Sequence, residues 1–132
     1  MADAGDRFRD VVEMMSFMRG PQGCAWDREQ TIESFLTHLK NESQEVLDSI
    51  EKKDYANLRE ELGDLLWNIV FLAQIAKEEG LFDISDVMTD LKAKIVRRHP
   101  HVFGEKRITD PDEILRQWHE IKKREKEGKR GR

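Results

Sequence analysis

Glu42 and Glu45 lie three residues apart, and so do Glu61 and Asp64. Residues at that spacing share one face of a helix, so each pair can aim two carboxylates at one point. Two such helices running antiparallel would bring four carboxylates around a common centre. Hard divalent cations such as Mg²⁺ take oxygen cages of this kind. Acidic helix faces are more commonly just solvated, so the neighbouring residues must decide.

The stretch around Glu61 and Asp64 argues for a site. Residues 56–79 are expected to form one long helix that ends at Gly80, which suits the left-handed position after a helix C-terminus. Its main apolar stripe is Leu58, Leu62, Leu65, Leu66, Ile69, Ala73 and Ala76, and the opposite side carries Trp67, Phe71 and Ile75. A helix apolar on both sides is covered on both sides. In steps of three and four, Glu61, Asp64, Asn68, Phe71 and Ile75 follow one line. The acids therefore face an interior or a cleft. Glu42 flanks the apolar stripe of its own helix, and Glu45 lies further round, toward the polar side. Partly buried carboxylates without counter-charge are costly and take up protons. A divalent cation removes that cost, whereas Arg59, though near in sequence, lies on another face from Asp64. Oxygen-only ligation favours Mg²⁺, with Mn²⁺ as a substitute, over zinc or iron. Neither acidic pair contains the histidine of the Glu-x-x-His motif found in di-iron bundles. No G-x-x-x-x-G-K-[ST] loop is present, so phosphate would have to be held in another way.

Basic and aromatic residues offer the other half of such chemistry. Lys94 and Arg98 are four apart with Arg97 alongside, and can grip phosphate as point charge and fork. They can equally complement the C-terminal end of a helix dipole, and spacing alone does not separate the two readings. Trp26, in a Gly/Pro loop, and Trp118 are candidates for stacking on a base, although the commoner role of either is packing. His99 and His101 read as loop residues beside Pro100, and Cys24 as a small packed residue.

Five helices carry these groups. The first is expected at residues 6–19, with Phe8, Val11, Val12, Met15 and Met18 at helical spacing and Gly20-Pro21 as its stop. A loop follows at 21–27, then a second helix at 28–52 with Ile32, Phe35, Leu36, Leu39, Val46, Leu47 and Ile50 as its stripe. The tight connection at 53–55 makes the second and third helices antiparallel neighbours. The fourth runs from 85 toward Pro100, a loop covers 99–109, and the fifth opens with Asp110, Pro111, Asp112 and Glu113 as N-cap, N1 proline and first-turn acids. The charged end from 122 is expected to fray, with 127–132 a flexible basic tail. The fold class is all-α, a bundle of about five helices with a four-helix core. The uncovered second face of the third helix predicts a homodimer or a dimer of dimers, with that core shared between subunits.

The totals agree. A chain of 132 residues suits one domain, here 1–126, and only three prolines leave room for long helices. A net charge of −4 does not favour nucleic-acid binding. One cysteine makes no internal disulfide, which fits a cytoplasmic setting. The N-terminal stretch lacks an apolar h-region, and the longest apolar run is interrupted by Asn68 and Gln74, so neither signal peptide nor membrane span is expected.

Four ordered segments also resemble a known family. Gly23-Cys24-Ala25-Trp26-Asp27-Arg28-Glu29-Gln30-Thr31 is similar to G-C-P-W-D-x-x-Q-T, and Asn41-Glu42-Ser43-Gln44-Glu45 to E-E-x-x-E. Glu60-Glu61-Leu62-Gly63-Asp64 matches E-E-L-G-D, and Arg97-Arg98-His99-Pro100-His101-Val102-Phe103-Gly104 matches R-R-H-P-H-V-F-G. The chain thereby resembles the MazG family of all-α nucleoside triphosphate pyrophosphohydrolases, in its short single-domain form. The resemblance implies a Mg²⁺-dependent enzyme that cuts a nucleoside triphosphate between the α and β phosphates. It places metal binding on Glu42, Glu45, Glu61 and Asp64, phosphate contact on Lys94 and Arg98 with Arg97 beside them, and a base or sugar contact on Trp118. Trp26 and Asn68 are the further base or sugar candidates. Glu45 and Glu61 are the candidate catalytic acids, Glu45 as the group that orients or deprotonates water. Two positions depart from the pattern: Asn41 replaces the first glutamate of E-E-x-x-E, and Ala25 replaces a proline.

Three readings follow. The first is a broad nucleotide-pool housecleaning enzyme, which the Trp26 loop and the R-R-H-P-H-V-F segment favour. The second is a narrower dUTP or dCTP pyrophosphatase, or a phosphoribosyl-ATP pyrophosphohydrolase. The third is a non-catalytic helical partner-binding module in which the acids are structural or Asn41 has ended activity.

Overall fold

The computed structural model describes residues 1–105 and 107–130. It holds helices α1 (Ala4–Met18), α2 (Ala25–Glu29), α3 (Phe35–Glu51), α4 (Tyr55–Glu78), α5 (Ile84–Arg98), α6 (Pro100–Phe103) and α7 (Pro111–Arg130), with no strand among the described residues. The class is all-α, and a long helix occurs at each of the five expected segments. The chain divides into two compact units, Met1–Ile84 and Ser85–Arg132.

In the first unit, α4 packs against both α3 and α1. Asp3 caps α1 by accepting from the Asp6 backbone N–H (2.9 Å), while Asp6 accepts from that of Asp3 (3.2 Å). This reciprocal cap sets the start of α1 two residues before the expected one. The α3–α4 hairpin turns at Lys53, whose φ of 54° is left-handed. The buried Ser49 hydroxyl ties the hairpin by donating to the Glu45 carbonyl (2.9 Å) and accepting from Asn57 Nδ2 (2.7 Å). α4 starts at its Asp54 cap and closes before Gly80 at φ 72°. The core is Met15, Phe35, Val70, Phe71 and Ile75, with Phe8, Val11, Val12, Ile32, Trp67 and Leu72 packed on it.

Two expectations change here. The helix expected at 28–52 is two helices, because residues 30–34 leave the helical path at Gln30 (ψ 144°). Thr31 and Ser34 supply the reason: each backbone N–H donates to the other's hydroxyl, at 3.0 and 3.1 Å. Such local bonds compete with helix formation. The two faces of α4 also exchange rank. Phe71 and Ile75 lie in the core, whereas of the expected main stripe Leu62, Leu66 and Ile69 are exposed, Leu58 and Leu65 half-buried, and only Ala73 and Ala76 buried.

In the second unit, the expected loop at 99–109 contains the one-turn helix α6, begun by Pro100 at N1. Asp110 caps α7 by accepting from the Asp112 N–H at 3.1 Å. α7 continues as helix through Arg130, beyond the point where fraying was expected. Its Lys, Arg and Glu residues are good helix formers, and Glu125 is tied to α5. Residues 131 and 132 of the expected tail lie outside the described residues.

Candidate active site

The hairpin geometry brings the two acidic pairs face to face. One carboxylate oxygen from each of Glu42, Glu61 and Asp64 lies within 4.8 Å of the others. Glu42 and Glu61 are half-buried and Asp64 is exposed. Glu42 Oε2 is buried with no hydrogen-bond partner. Burial, a hydrogen bond to Glu42 and the charges of Glu42, Glu45 and Asp64 push Glu61 up to about 7. Glu45 is exposed and lies outside the close oxygen set, near enough for its charge to act on Glu61. The expected four-carboxylate cage is thus three converging acids with Glu45 at the edge. An orphaned carboxylate oxygen and a carboxyl pushed toward its protonated form are what an all-oxygen cation site shows without its cation. The donor set fits Mg²⁺.

Beside Glu42 opens a cleft of about 230 Å³, lined by Trp26, Phe35, His38, Asn41, Glu42, Trp67, Asn68 and Phe71. Two of the three expected base or sugar residues, Trp26 and Asn68, therefore meet next to the acids. The Trp26 and His38 rings meet edge to face at 5.4 Å, and Asn68 Nδ2 donates to the His38 carbonyl at 3.4 Å. His38, Asn41 and Trp67 were not assigned to the site from sequence. His38 was within reach of that reasoning, because it precedes Glu42 by one helical turn and shares its face.

In the second unit, Lys94, Arg97 and Arg98 line a cavity of about 410 Å³ with Glu125, Gly128 and Lys129. Glu125 binds both arginines: Arg97 Nε donates to Oε1 at 2.6 Å, and Arg98 Nη2 to Oε2 at 2.8 Å. Arg98 and Arg97 accordingly hold the Glu125 carboxyl down at about 2. Trp118 carries Lys122 Nζ at 4.4 Å from its ring centroid and the Arg98 guanidinium at 5.9 Å. Glu125 was missed from sequence because a glutamate amid lysines reads as a solvated charge. Its clue is the 118, 122, 125 spacing, which puts it on the Trp118 face.

The model of the MazG nucleotide pyrophosphohydrolase domain matches residues 30–103, more than half of the chain and inclusive of both acidic pairs. The chain belongs to the MazG family. Among its curated relatives, the nucleoside triphosphate pyrophosphohydrolase/pyrophosphatase MazG of Thermotoga maritima is 45% identical over 126 residues, 96% of this chain and 48% of the relative. The nucleoside triphosphate pyrophosphohydrolase of Escherichia coli K12 is 43% identical over 117 residues, 88% of this chain and 44% of the relative. The chain thus spans about half the length of these MazG relatives. A solved MazG-related protein from Thermotoga maritima superposes with a TM-score of 0.72 at 31% identity, covering 87% of this chain and 98% of that one. Trp26 and Trp118 both fall outside the matched 30–103 span of the MazG domain.

Proposed function

We propose that this MazG chain is a Mg²⁺-dependent nucleoside triphosphate pyrophosphohydrolase that releases nucleoside monophosphate and pyrophosphate, in a nucleotide-pool housecleaning role. The observation that carries the reading is the convergence of Glu42, Glu61 and Asp64 within 4.8 Å, with the unpartnered Glu42 oxygen. Glu42, Glu61 and Asp64 hold the cation. Bound Mg²⁺ would offset the triphosphate charge and make water at the site more acidic. Glu45, exposed at the edge of the cluster, orients the attacking water and takes its proton. The water oxygen bonds to the α-phosphorus as its bond to the bridging oxygen breaks, and pyrophosphate carries that oxygen away. Within the second unit, the cavity lined by Lys94, Arg97 and Arg98 supports a phosphate-binding role by its excess of cations. Trp26 and Asn68 bound the cleft for the base or sugar, and Trp118 is a further nucleotide contact.

The test is incubation of the purified chain with each common NTP and dNTP, with Mg²⁺ and then with EDTA. Monophosphate and pyrophosphate that vanish with EDTA support the reading. Nucleoside diphosphate and phosphate would assign a different bond and overturn it.

Self-association belongs to the same proposal. Leu62, Leu66 and Ile69 leave an apolar stripe exposed on α4, and Leu47 and Ile50 do so on α3. Exposed apolar area of this kind marks an interface. A homodimer is expected, so sedimentation at micromolar concentration should give twice the 15.6 kDa chain mass. Leu66→Glu should shift it to monomer, and a monomeric wild type would refute the interface. No described helix is long and apolar enough to cross a membrane. The unpaired Cys24 supports the cytoplasmic assignment.

A further inference from the structure

The segment that carries Trp26 has few attachments of its own. α2 is five residues long and has no side-chain cap at its start. Cys24 N–H donates to the Met18 carbonyl at 2.9 Å, and Arg28 Nη1 donates to that of Gly20 at 2.9 Å. Gly23 lets this approach happen, because a Cβ there would collide with the carbonyls of Phe17 and Met18. These ties bind the segment to the end of α1. Among the described residues, the hydrogen bonds that link this segment to α4 run through Arg19, while the Trp26 ring meets His38 of α3.

Arg19 is 8% exposed in its side chain. Its Nε and Nη2 form a fork onto Glu78 near the end of α4, at 3.0 and 2.8 Å. Its Nη1 donates to the carbonyls of Asp27 and Gln30, the latter at 3.0 Å. Those carbonyls belong to the end of α2, where no further helical turn follows and the Asp27 carbonyl otherwise accepts from the Gln30 N–H at 3.3 Å. The guanidinium also lies 5.6 Å from the centroid of Phe71, whose ring lines the cleft. Gln74 Nε2 donates to Glu78 as well, at 3.2 Å, which holds the anchor in place. One buried guanidinium thus fixes the segment behind Trp26 while standing over a neighbouring wall of the same cleft.

We propose that Arg19 is a positioning residue for substrate: it acts through Trp26, holding the α2 segment so that the indole bounds the nucleoside end of the cleft. This rests on the proposed function, in which that cleft receives the base or sugar. A lysine cannot replace Arg19, because a single ammonium cannot serve the Glu78 fork and two carbonyls in fixed planar geometry. The described partners of the side chain, Glu78, Asp27, Gln30 and Phe71, are none of the acidic cluster, so the loss should fall on binding rather than on the chemical step.

The test is a double-mutant cycle of Arg19→Lys and Trp26→Ala, with amide exchange of residues 24–30 followed by mass spectrometry. Arg19→Lys is expected to raise KM for the preferred nucleotide about tenfold, with kcat within about twofold. In the Trp26→Ala background the same change should add little further, because the two act as one unit. Exchange in 24–30 should accelerate. Multiplicative KM effects, or a fall in kcat alone, overturn the proposal. Unchanged exchange with hydrolysis intact overturns the clamp alone. No hydrolysis by the wild type overturns the proposed function, and Arg19's effect on substrate with it. Should Arg19→Lys not fold, Glu78→Gln weakens only the fork and is expected to move KM in the same direction, about threefold.

Discussion

Glu61→Gln should abolish hydrolysis, by about a thousandfold or more, in a chain that folds as well as the wild type or better. The two halves of that result have one cause. In the absence of a cation, its burial, then a hydrogen bond to Glu42 and the charges of Glu42, Glu45 and Asp64, raise the Glu61 carboxyl to about 7. Glutamine keeps the shape and removes one charge. In EDTA it therefore relieves repulsion, whereas with Mg²⁺ it deletes a ligand. The pH dependence carries the sign. A group whose folded pKa lies above its unfolded value adds stability below the unfolded pKa and loses it as pH rises through the folded one. For Glu61 the ordinary value is 4.5. The metal-free wild type should accordingly lose stability between about pH 5 and 8, and Glu61→Gln should lose less. Mg²⁺ should raise the wild-type Tm, most at high pH, and should raise the variant's far less. Melting curves in EDTA and in Mg²⁺ at pH 5.5 and 8 give all four comparisons. Residual hydrolysis near wild-type level would remove Glu61 from the site. Equal Mg²⁺ shifts in both proteins would place the cation elsewhere.

The acidic cluster was legible because a helix converts spacing into direction. Glu61, Asp64 and Asn68 lie on the line that runs into Phe71, and Phe71 is 1% exposed. That continuity, rather than acidity, brought Glu61 and Asn68 inward, while Asp64, expected to face an interior or a cleft, is exposed. What the helical period could not give is which of two apolar faces of α4 is covered, because Leu66 and Phe71 are equally hydrophobic. The choice is made by what α1 and α3 offer, Met15 and Phe35, and those are tertiary facts. The break between α2 and α3 was hidden for a different reason. Ile32, Phe35, Leu36 and Leu39 keep helical spacing across it, while the reciprocal Thr31–Ser34 bonds act locally. Arg19 was invisible as a functional residue. An arginine just before Gly20-Pro21 reads as a helix end, and its partners Asp27, Gln30 and Glu78 are up to 59 residues away.

Phe71→Ala tests how far the fold and the cleft are one construction. The ring is buried, lies 4.4 Å from the Phe35 ring centroid, and packs in the cluster with Met15, Val70 and Ile75. Removing it costs the transfer of the ring plus the cavity left behind, about 3–5 kcal/mol. Against the roughly 5–15 kcal/mol typical of whole domains, that is a large share. Phe71→Leu, which keeps most of the volume, should cost about 1–2 kcal/mol. Phe71 is also a wall of the cleft and the surface over which the Arg19 guanidinium rests. The leucine variant should therefore stay folded and still bind nucleotide less well, since it loses the flat face that sets both Arg19 and the cleft wall. Urea midpoints give the stability terms, and KM for the preferred nucleotide gives the other. A Phe71→Ala loss under about 1 kcal/mol would contradict the core assignment. A Phe71→Leu chain with unchanged KM would mean that the wall is set without Phe71, leaving the cleft to Trp26, His38 and the α3–α4 hairpin.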